Sequence, residues 1–422
     1  MIETKEFVKR REKLVEKMQD NSIAILYAGY PPKESADETY NFVVNRNFYY
    51  LTNIKQENSV LFLLKQDGLV KEYLFISEFD EVKEKWTGKL LTPKEAGELS
   101  GIENVLTTNQ VESELDLILH KKNVGFSRIT TIYLDKEPEC LLEGFKTTAD
   151  VEKALIANYP WLKSADIYND IISLRQVKSK AEIAELQEAI DKTNIGLKTL
   201  MKSLEPGKFE YQYSALFFYT LQDYDYSELS FPTICAAGVN ATTLHYPTPL
   251  SKVEENDLIL FDLGVRNNVY CADISRTYPV SGKFNDLQRT IYQIVLDTNK
   301  LVLTKIKPGI SLVELNEIAK DSLAEGCLKA GLIKDKSEIS KYYFHSVGHH
   351  LGLDTHDPGD RKVPLVAGNV ITDEPGLYFK ELGIGVRIED DVLVTDEGSY
   401  CLSGGIIKEI DDIERAMGSI KW

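Results

Sequence analysis

Two aspartates lie in apolar, strand-like segments of the C-terminal half of the chain. Asp262 stands in DLILFDLGV and Asp273 in VYCADISRTYPV. Between them, Asn267 and Asn268 tolerate the positive φ that a two-residue hairpin turn requires, which would place Asp262 directly opposite Asp273. Their Cβ atoms would then be ~4.5–5.5 Å apart, a destabilising position for like charges. We therefore expect a cation between them rather than two solvated aspartates at a sheet edge.

A second hairpin is expected around residues 380–383, which would form a four-residue loop. A hairpin centred there places Glu374 of ITDEPGLYF opposite Glu389 of GIGVRIEDD, unless a bulge at Pro375 and Gly376 shifts the register. Arg387 precedes Glu389 by two residues and so shares its face of the strand. By itself, this pattern leaves a surface hairpin with ordinary charges as an equal alternative.

Histidine is scarce in this chain but clustered. Four of the six histidines lie within residues 344–357, FHSVGHHLGLDTHD, and imidazole beside carboxylates is typical of a borderline metal site. In an extended segment, His350 would point away from the face of His349. Four carboxylates and one imidazole are too many ligands for one ion, but they suit two ions ~3.5–4 Å apart that share a hydroxide. The residues thus predict a metal-assisted hydrolase.

The elements that would carry these residues form a repeat. Ser179 with Glu182, and Ser311 with Glu314, are capping boxes that start helices. Helix, Pro-Gly and a second helix occur twice, and each unit then reaches a histidine-bearing segment. We therefore expect two pseudo-symmetric halves of one domain. The strands are sequence-adjacent pairs, which predicts an antiparallel sheet, at residues 258–264, 270–278, 370–379 and 384–393.

The front of the chain shows a different pattern, in which short apolar runs alternate with helical stretches. Strands are expected at residues 22–28, 59–64 and 73–76, and helices at 6–18 and 112–120. This alternation predicts an α/β domain with a mixed or parallel sheet. The chain becomes irregular over residues 159–173, so we expect one domain at 1–172 and another at 173–422.

Composition excludes several other classes of protein. The 422 residues include 49 Lys and Arg against 66 Asp and Glu, for a formal charge of −17, whereas nucleic-acid binding requires a basic face. No run approaches the ~20 apolar residues of a membrane span. The charged N-terminal segment does not resemble a signal peptide, and the five scattered cysteines contain no CxxC pair. We expect a cytoplasmic protein with reduced thiols and no nucleic-acid or membrane partner.

Five motifs, in their order along the chain, resemble those of the aminopeptidase P and prolidase family of dinuclear metallopeptidases. They are FDLG, CADISRT, HSVGHHLGLDTHD, DEPGLYF and GVRIEDD. The segments SADETYNFVVNRNFYYLTN and EKWTG are similar to the aminopeptidase P N-terminal domain, and SLRQVKSKAEI is similar to the linker that opens the catalytic domain. The resemblance implies an α/β N-terminal domain, a mixed sheet with flanking helices. An α+β pita-bread catalytic domain with a pseudo-twofold antiparallel sheet would follow it.

The resemblance also implies which residues bind metal. The positions that match the family's ligands are Asp262, Asp273, His349, Glu374 and Glu389. Asp273 and Glu389 would bridge two divalent ions. Asp262 would bind one of them, and His349 with Glu374 would bind the other. Mn²⁺ is the favoured metal, with Co²⁺ or Zn²⁺ as alternatives.

Further positions match residues that act on the substrate in this family. The implied catalytic residues are Glu374, His245, His345, His356 and Arg387, and the implied substrate-binding residues are His245, His345, His356, Tyr378, Asp37 and Trp86. Trp86 matches a tryptophan that a neighbouring subunit can contribute, so we expect a homo-oligomer, a dimer or tetramer. Asp373 and His350 depart from the usual family residues, and by strand alternation both should face away from the metals.

The implied activity is that of an aminopeptidase that hydrolyses the N-terminal X-Pro bond of peptides with a hydroxide bridging two metals. An X-Pro dipeptidase, or prolidase, is the alternative in the same class, and the segments SAD and FYYLTN favour the aminopeptidase. Two alternatives come from other classes, a non-catalytic pita-bread binding module and a metal-free amidinohydrolase of the creatinase type. Both are disfavoured because this chain has a metal-ligand residue at each of the five positions that match the family's ligands.

Overall fold

A computed structural model describes residues 2–121, 125–136 and 148–418. The chain divides into an N-terminal and a C-terminal unit between Arg175 and Gln176. The boundary expected from the sequence lies between residues 172 and 173. Within the described ranges, none of the helices is both long and apolar enough to cross a bilayer.

The N-terminal unit is built on a mixed six-stranded sheet with strand order β6-β5-β4-β1-β7-β8. Its strands are β1 (Ser22–Tyr27), β2 (Lys33–Ser35), β3 (Glu38–Thr39), β4 (Val60–Gln66), β5 (Leu69–Ile76), β6 (Asn104–Thr107), β7 (Thr131–Leu134) and β8 (Lys163–Asp166). Its helices are α1 (Thr4–Lys17), α2 (Arg46–Thr52), α3 (Glu81–Thr87), α4 (Pro93–Ser100), α5 (Val111–Asp116), α6 (Thr148–Asn158) and α7 (Tyr168–Arg175). Strand β4 pairs antiparallel with both neighbours, and the other three pairings are parallel. The mixed α/β domain is therefore confirmed.

Apolar side chains explain why this sheet forms where the sequence predicts it. The alternating residues Ile23, Phe62, Leu64, Ile132 and Leu134 of β1, β4 and β7 are buried in one cluster. Because strand side chains alternate between faces, this pattern places one face of the sheet in a common core. The predicted helix at 112–120 forms as α5, followed by a π-helical turn at Leu117–Lys121.

The C-terminal unit consists of two helix pairs and a set of antiparallel strands. Its helices are α8 (Lys180–Ser203), α9 (Glu210–Tyr224), α10 (Asp286–Lys305), α11 (Leu312–Lys329) and α12 (Ile410–Gly418). Its strands are β9 (Glu228–Leu229), β10 (Ile234–Ala237), β11 (Leu258–Leu263), β12 (Val265–Asn267), β13 (Tyr270–Cys271), β14 (Ile274–Pro279), β15 (Val370–Asp373), β16 (Gly376–Phe379), β17 (Ile384–Arg387), β18 (Asp390–Val394) and β19 (Ser399–Cys401). The strands form the sheets β10-β11-β14, β13-β12-β9, β15-β18-β19 and β16-β17, each with antiparallel pairings.

The predicted repeat is visible in both helix pairs. Ser179 and Ser311 each accept a hydrogen bond from the backbone of a glutamate three residues on, which completes the two capping boxes. The Pro-Gly pairs end each first helix, with positive φ at Gly207 and Gly309. Helix α8 then packs on α9, and α10 packs on α11.

The hairpin expected around residues 380–383 has the predicted register. Thr372 pairs with Asp391 in one segment, and Leu377 pairs with Val386 in the other, so a single register runs through both. The loop ends at Gly383, whose φ of 63° is in the left-handed region that glycine adopts freely. Glu374 and Glu389 therefore face each other between the two paired segments.

The register predicted for the first hairpin is wrong. Asp262 pairs with Ser275 rather than with Asp273, because the turn is Asn268–Val269 and not Asn267–Asn268. The observed pairing differs from the predicted one by a shift of two residues. Such a shift leaves every side chain on its predicted face of the sheet, because side chains alternate with a period of two. Apolar alternation therefore could not distinguish the two registers. Asp273 lies diagonal to Asp262 on the same face of the hairpin.

Candidate metal centre

Acidic side chains from both hairpins of the C-terminal unit converge. Asp262 lies in β11, Asp273 directly precedes β14, Glu374 follows β15 and Glu389 precedes β18. Together with two histidines they form three overlapping sets of candidate metal ligands, and the ligand atoms of each set lie within 4.8 Å of one another. These sets are Asp262, Asp273 and Glu389; His349, Glu374 and Glu389; and Asp273, His349 and His356.

The His349 imidazole is held in the orientation and tautomer that suit a metal ligand. Its Nδ1 donates to the carbonyl oxygen of His350 at 2.9 Å. Its Nε2 is therefore unprotonated in the neutral ring and lies 3.4 Å from Asp273 Oδ2 and 3.7 Å from Glu374 Oε1. A neutral imidazole with one nitrogen fixed by a carbonyl binds metal through the other nitrogen.

Hydrogen bonds from Arg387 and Ser275 orient two of the carboxylates. Arg387 Nη2 donates to Asp262 Oδ2 at 2.6 Å, and Arg387 Nε donates to Ser275 Oγ at 2.8 Å. The Ser275 hydroxyl in turn donates to Glu389 Oε2 at 2.6 Å. Sequence reasoning missed Ser275, although it stands in the CADISRT motif two residues after Asp273, which is the spacing of one strand face.

The site fits a divalent cation on electrostatic grounds. Burial, followed by repulsion from Asp262, raises the pKa of Asp273 well above its ordinary value, and burial with repulsion from Asp273 does the same to the pKa of Glu389. Asp262 Oδ1 is buried and has no hydrogen-bond partner among the described residues. Several carboxylate oxygens with one or two imidazoles are the donors that Mn²⁺, Co²⁺ and Zn²⁺ accept. A cation among these groups would bind the free oxygen and balance the charge.

The other predicted histidines border the same carboxylates. His345 Nε2 lies 2.8 Å from Tyr378 Oη, which also accepts from Arg387 Nη1 at 3.1 Å. Burial, and then the Arg387 charge, lowers the pKa of His345 to about 4, so this ring is neutral at pH 7. The His356 ring stacks edge-on against His349 with centroids 4.4 Å apart.

His245 is exposed, and it follows the 3₁₀ turn Gly238–Thr242. It lies close enough to His345 and His356 for its charge to contribute to lowering the pKa of each, after the larger effect of burial. The structure therefore brings together ten of the twelve predicted site residues in the C-terminal unit, namely Asp262, Asp273, His349, Glu374, Glu389, His245, His345, His356, Arg387 and Tyr378.

Two predicted site residues belong to the N-terminal unit. Asp37 is exposed in the turn between β2 and β3, and Trp86 is on α3 with 85% of its surface exposed. Of the two residues that depart from the family pattern, Asp373 Oδ2 accepts from Asn299 Nδ2 at 3.1 Å on α10, and it belongs to none of the ligand sets. The expectation that its side chain faces away from the carboxylate cluster agrees with this contact.

Comparison with known proteins matches both parts of the chain. Residues 184–396 match the model of metallopeptidase family M24, and residues 7–125 match that of the aminopeptidase P N-terminal domain. The Escherichia coli Xaa-Pro aminopeptidase is 31% identical over 99% of this chain and 98% of its own length. The mitochondrial intermediate cleaving peptidase 55 of Arabidopsis thaliana is 30% identical over 99% of this chain and 84% of its own length.

Two solved structures have the same fold over their full length. A Bacillus anthracis protein described as a candidate aminopeptidase P has a TM-score of 0.95 and 42% identity, with 99% of both chains covered. Zinc-substituted E. coli aminopeptidase P in complex with product has a TM-score of 0.89 and 31% identity, again with 99% of both chains covered.

The fold and the convergent ligands define a peptidase that uses metal, and the chain belongs to metallopeptidase family M24. Within that family it has the two-domain architecture of aminopeptidase P, with that protein's N-terminal domain and the pita-bread domain. The family, the fold class and the assignment as a hydrolase that uses divalent metal are therefore confirmed.

Removal of divalent cations should lower the melting temperature of the protein. The buried carboxylates repel one another without a cation, whereas Mn²⁺ at 100 times its Kd stabilises the folded state by about 2.7 kcal/mol. Calorimetric melting of the EDTA-treated chain, before and after addition of Mn²⁺, Co²⁺ or Zn²⁺, measures this difference. K⁺ at the same ionic strength is the control for screening, and equal melting temperatures in all samples would contradict the metal centre.

Proposed function

We propose that the protein is a metal-dependent aminopeptidase that releases the N-terminal residue from peptides with proline in second position. The observation that carries this proposal is the convergence of five ligand-type side chains in a chain similar over its full length to Xaa-Pro aminopeptidases. The catalytic domain would be residues 173–422. The N-terminal residues 1–172 would form the aminopeptidase P-like domain.

The five ligands would be Asp262, Asp273, His349, Glu374 and Glu389, in the roles that the resemblance implies. Asp273 and Glu389 are the proposed bridging ligands, and each carboxylate belongs to two of the three ligand sets. Asp262 shares a set only with these two, whereas Glu374 shares a set only with His349 and Glu389. This overlap supports two adjacent cation positions. Mn²⁺ is the proposed metal.

When bound, two divalent cations would supply positive charge that lowers the pKa of the attacking water and polarises the scissile carbonyl. Glu374 would accept the proton of that water, and burial raises the pKa of this carboxyl, which suits a group that must take up a proton. It would then deliver the proton to the proline nitrogen, so that proline leaves as a neutral secondary amine. His356 or His245 would stabilise the oxyanion of the tetrahedral intermediate.

Tyr378, His345 and Arg387 would position the substrate beside these groups. Their mutual hydrogen bonds hold a phenol, a neutral imidazole and a guanidinium next to Asp262. The free N-terminus of the substrate would lie near Asp262. That Asp37 and Trp86 contribute to the pocket stays a prediction from the resemblance.

We also propose a cytoplasmic homo-oligomer, a dimer or tetramer. The exposed apolar side chains Phe79, Val82 and Trp86 on and just before α3 support an interface between copies of the chain. Exposed apolar patches of this kind are typical of protein contact surfaces.

Tripeptides and dipeptides distinguish this activity from that of an X-Pro dipeptidase. Arg387 already uses three of its five N–H donors on Asp262, Ser275 and Tyr378, so most of this guanidinium is engaged and the carboxylate of a dipeptide cannot form the usual paired contact with it without breaking one of these bonds. We expect kcat/KM for an X-Pro-X tripeptide to exceed that for the X-Pro dipeptide by about tenfold, which corresponds to about 1.4 kcal/mol. Amino-acid release from both peptides measures the ratio, and the X-Ala-X tripeptide is the control. A preference for the dipeptide would instead identify a dipeptidase.

A further inference from the structure

The turn that joins β12 to β13 has an unusual backbone. Both of its residues have positive φ, 45° at Asn268 and 85° at Val269. These angles are those of a type I′ hairpin turn, which Asn adopts readily. A β-branched residue at positive φ is strained. The alternative turn at Asn267–Asn268 would place asparagine at both positions, so other contacts must select the strained turn.

Burial of apolar side chains does not select the Asn268–Val269 turn over the alternative. The two turns differ in strand pairing by two residues, and every side chain keeps its face in either register. The pairing of the acidic residues does change. The observed turn pairs Asp262 with Ser275, whereas the alternative would place Asp262 directly opposite Asp273.

Helix α8 makes the contacts that favour the observed turn. Glu185 Oε2 accepts hydrogen bonds from Asn267 Nδ2 at 2.7 Å and from Asn268 Nδ2 at 2.8 Å. Glu185 is buried, with 3% of its surface exposed, and a hydrogen bond made away from water is stronger than one exposed to it. One turn earlier on the helix, Glu182 Oε1 accepts from the Tyr270 hydroxyl at 3.0 Å. Both sides of the hairpin turn are thus bonded to buried glutamates.

We propose that Glu185 is a positioning residue that selects the Asn268–Val269 turn and thereby sets the separation of Asp262 and Asp273. The proposal rests on the proposed role of these two aspartates as metal ligands. Glu185 touches neither of them, and it acts through the two asparagine amides and the strand register. Without it, the strained turn loses two of the hydrogen bonds that favour it, so the register with the Asn267–Asn268 turn gains population, and in that register the two carboxylates no longer match the cations.

Mn²⁺ titration calorimetry of the full-length chain, stripped of metal, tests this role. The Glu185→Ala variant should bind Mn²⁺ roughly 10–100-fold more weakly than the parent, the usual effect of losing a group that orients a ligand. At saturating Mn²⁺, kcat should fall while KM changes little, because the variant alters the ligands and not the peptide contacts. Asp191→Ala is the matched control, since Asp191 is an exposed carboxylate on the same helix and accepts a hydrogen bond from Gln187 Nε2 at 3.0 Å. It should bind Mn²⁺ as the parent does.

A second substitution separates register selection from a general loss of structure. Val269→Gly creates Asn-Gly, the dipeptide that most favours a type I′ turn. Combined with Glu185→Ala, it should restore most of the lost Mn²⁺ affinity. A folded Glu185→Ala variant that binds like the parent, or a double variant as weak as Glu185→Ala alone, overturns the proposal. If the alanine variant does not fold, Glu185→Gln takes its place in both comparisons. A parent chain that binds no Mn²⁺ would overturn the proposed function, and this proposal with it.

Discussion

Replacement of Glu389 by glutamine should reduce peptide hydrolysis on the order of 10³-fold or more, because cations at such centres supply several kcal/mol of transition-state stabilisation. Glu389 belongs to the ligand set of Asp262 and Asp273 and also to that of His349 and Glu374. The amide keeps the size of the side chain but lacks the charge that two cations share. Peptidase assays at saturating Mn²⁺ measure the loss of activity, and metal analysis of the purified variant measures the loss of bound metal.

The same substitution should have the opposite effect on the stability of the metal-free protein. Burial and repulsion from Asp273 raise the pKa of Glu389, so its ionisation costs folding free energy once the pH exceeds the ordinary carboxyl pKa. Glutamine removes that cost, and the metal-free variant should melt higher than the metal-free parent at pH 7. Glu397→Gln, at an exposed glutamate that follows β18, is the matched control. It should change neither the rate of peptide hydrolysis nor the melting temperature of the metal-free protein. Full activity in the Glu389→Gln variant would exclude this residue as a ligand.

The two ligand hairpins show what can be predicted from a sequence and what cannot. The four-residue loop that ends at Gly383 predicted the pairing of Glu374 with Glu389, and the register on both sides of Pro375 and Gly376 is the same, so no bulge there alters it. The asparagines near residue 268 allowed two registers that bury the same faces. The choice between them depends on Glu185, which is more than 80 residues earlier in the chain. Turn propensity alone therefore favoured the wrong register, the one with the Asn267–Asn268 turn.

The ligand types were predictable because apolar neighbours make acidic residues conspicuous, whereas the groups that support them were not. Ser275 was missed because its role depends on contact with Glu389, which lies 114 residues further along the chain. Arg276 was missed for the same reason, since it bonds to the backbone carbonyl of Glu389, 113 residues further along the chain. Periodicity describes one strand at a time and contains no information about which strands from different hairpins meet.

Replacement of Arg276 by methionine should destabilise the C-terminal unit by about 3–5 kcal/mol, the cost of breaking a buried ion pair by removing one partner. The Arg276 guanidinium is fully buried and donates to Asp390 Oδ1 at 2.7 Å. It also donates to the carbonyl oxygens of Ser275 at 2.9 Å and Glu389 at 2.6 Å, and its contacts with Glu389 and Asp390 join β14 to the start of β18. Urea unfolding of the parent and the variant measures the loss.

The loss should also depend on pH. Although burial opposes ionisation, Arg276 and Lys408 hold the pKa of Asp390 below its ordinary value, so the ion pair contributes stability above the ordinary aspartate pKa. As the pH falls below that range, Asp390 takes up a proton more readily in the variant than in the parent. The difference in unfolding free energy between the two should therefore narrow on acidification.

Two further variants separate the charge of Arg276 from its other contacts. In Arg276→Met with Asp390→Leu, the carboxylate that has lost its arginine is removed as well, and an apolar pair of similar volume is often as stable as the ion pair. This double variant should regain part of the loss, but not all of it, because the carbonyl oxygens of Ser275 and Glu389 still lack their donor and Lys408 loses its contact with Asp390. Arg289→Met removes an arginine whose side chain is 42% exposed and whose ion pairs with Asp411 and Glu414 lie at the surface, so it should cost less than about 1 kcal/mol. Equal losses of unfolding free energy in Arg276→Met and Arg289→Met would contradict a structural role for the Arg276 contacts between the two hairpins.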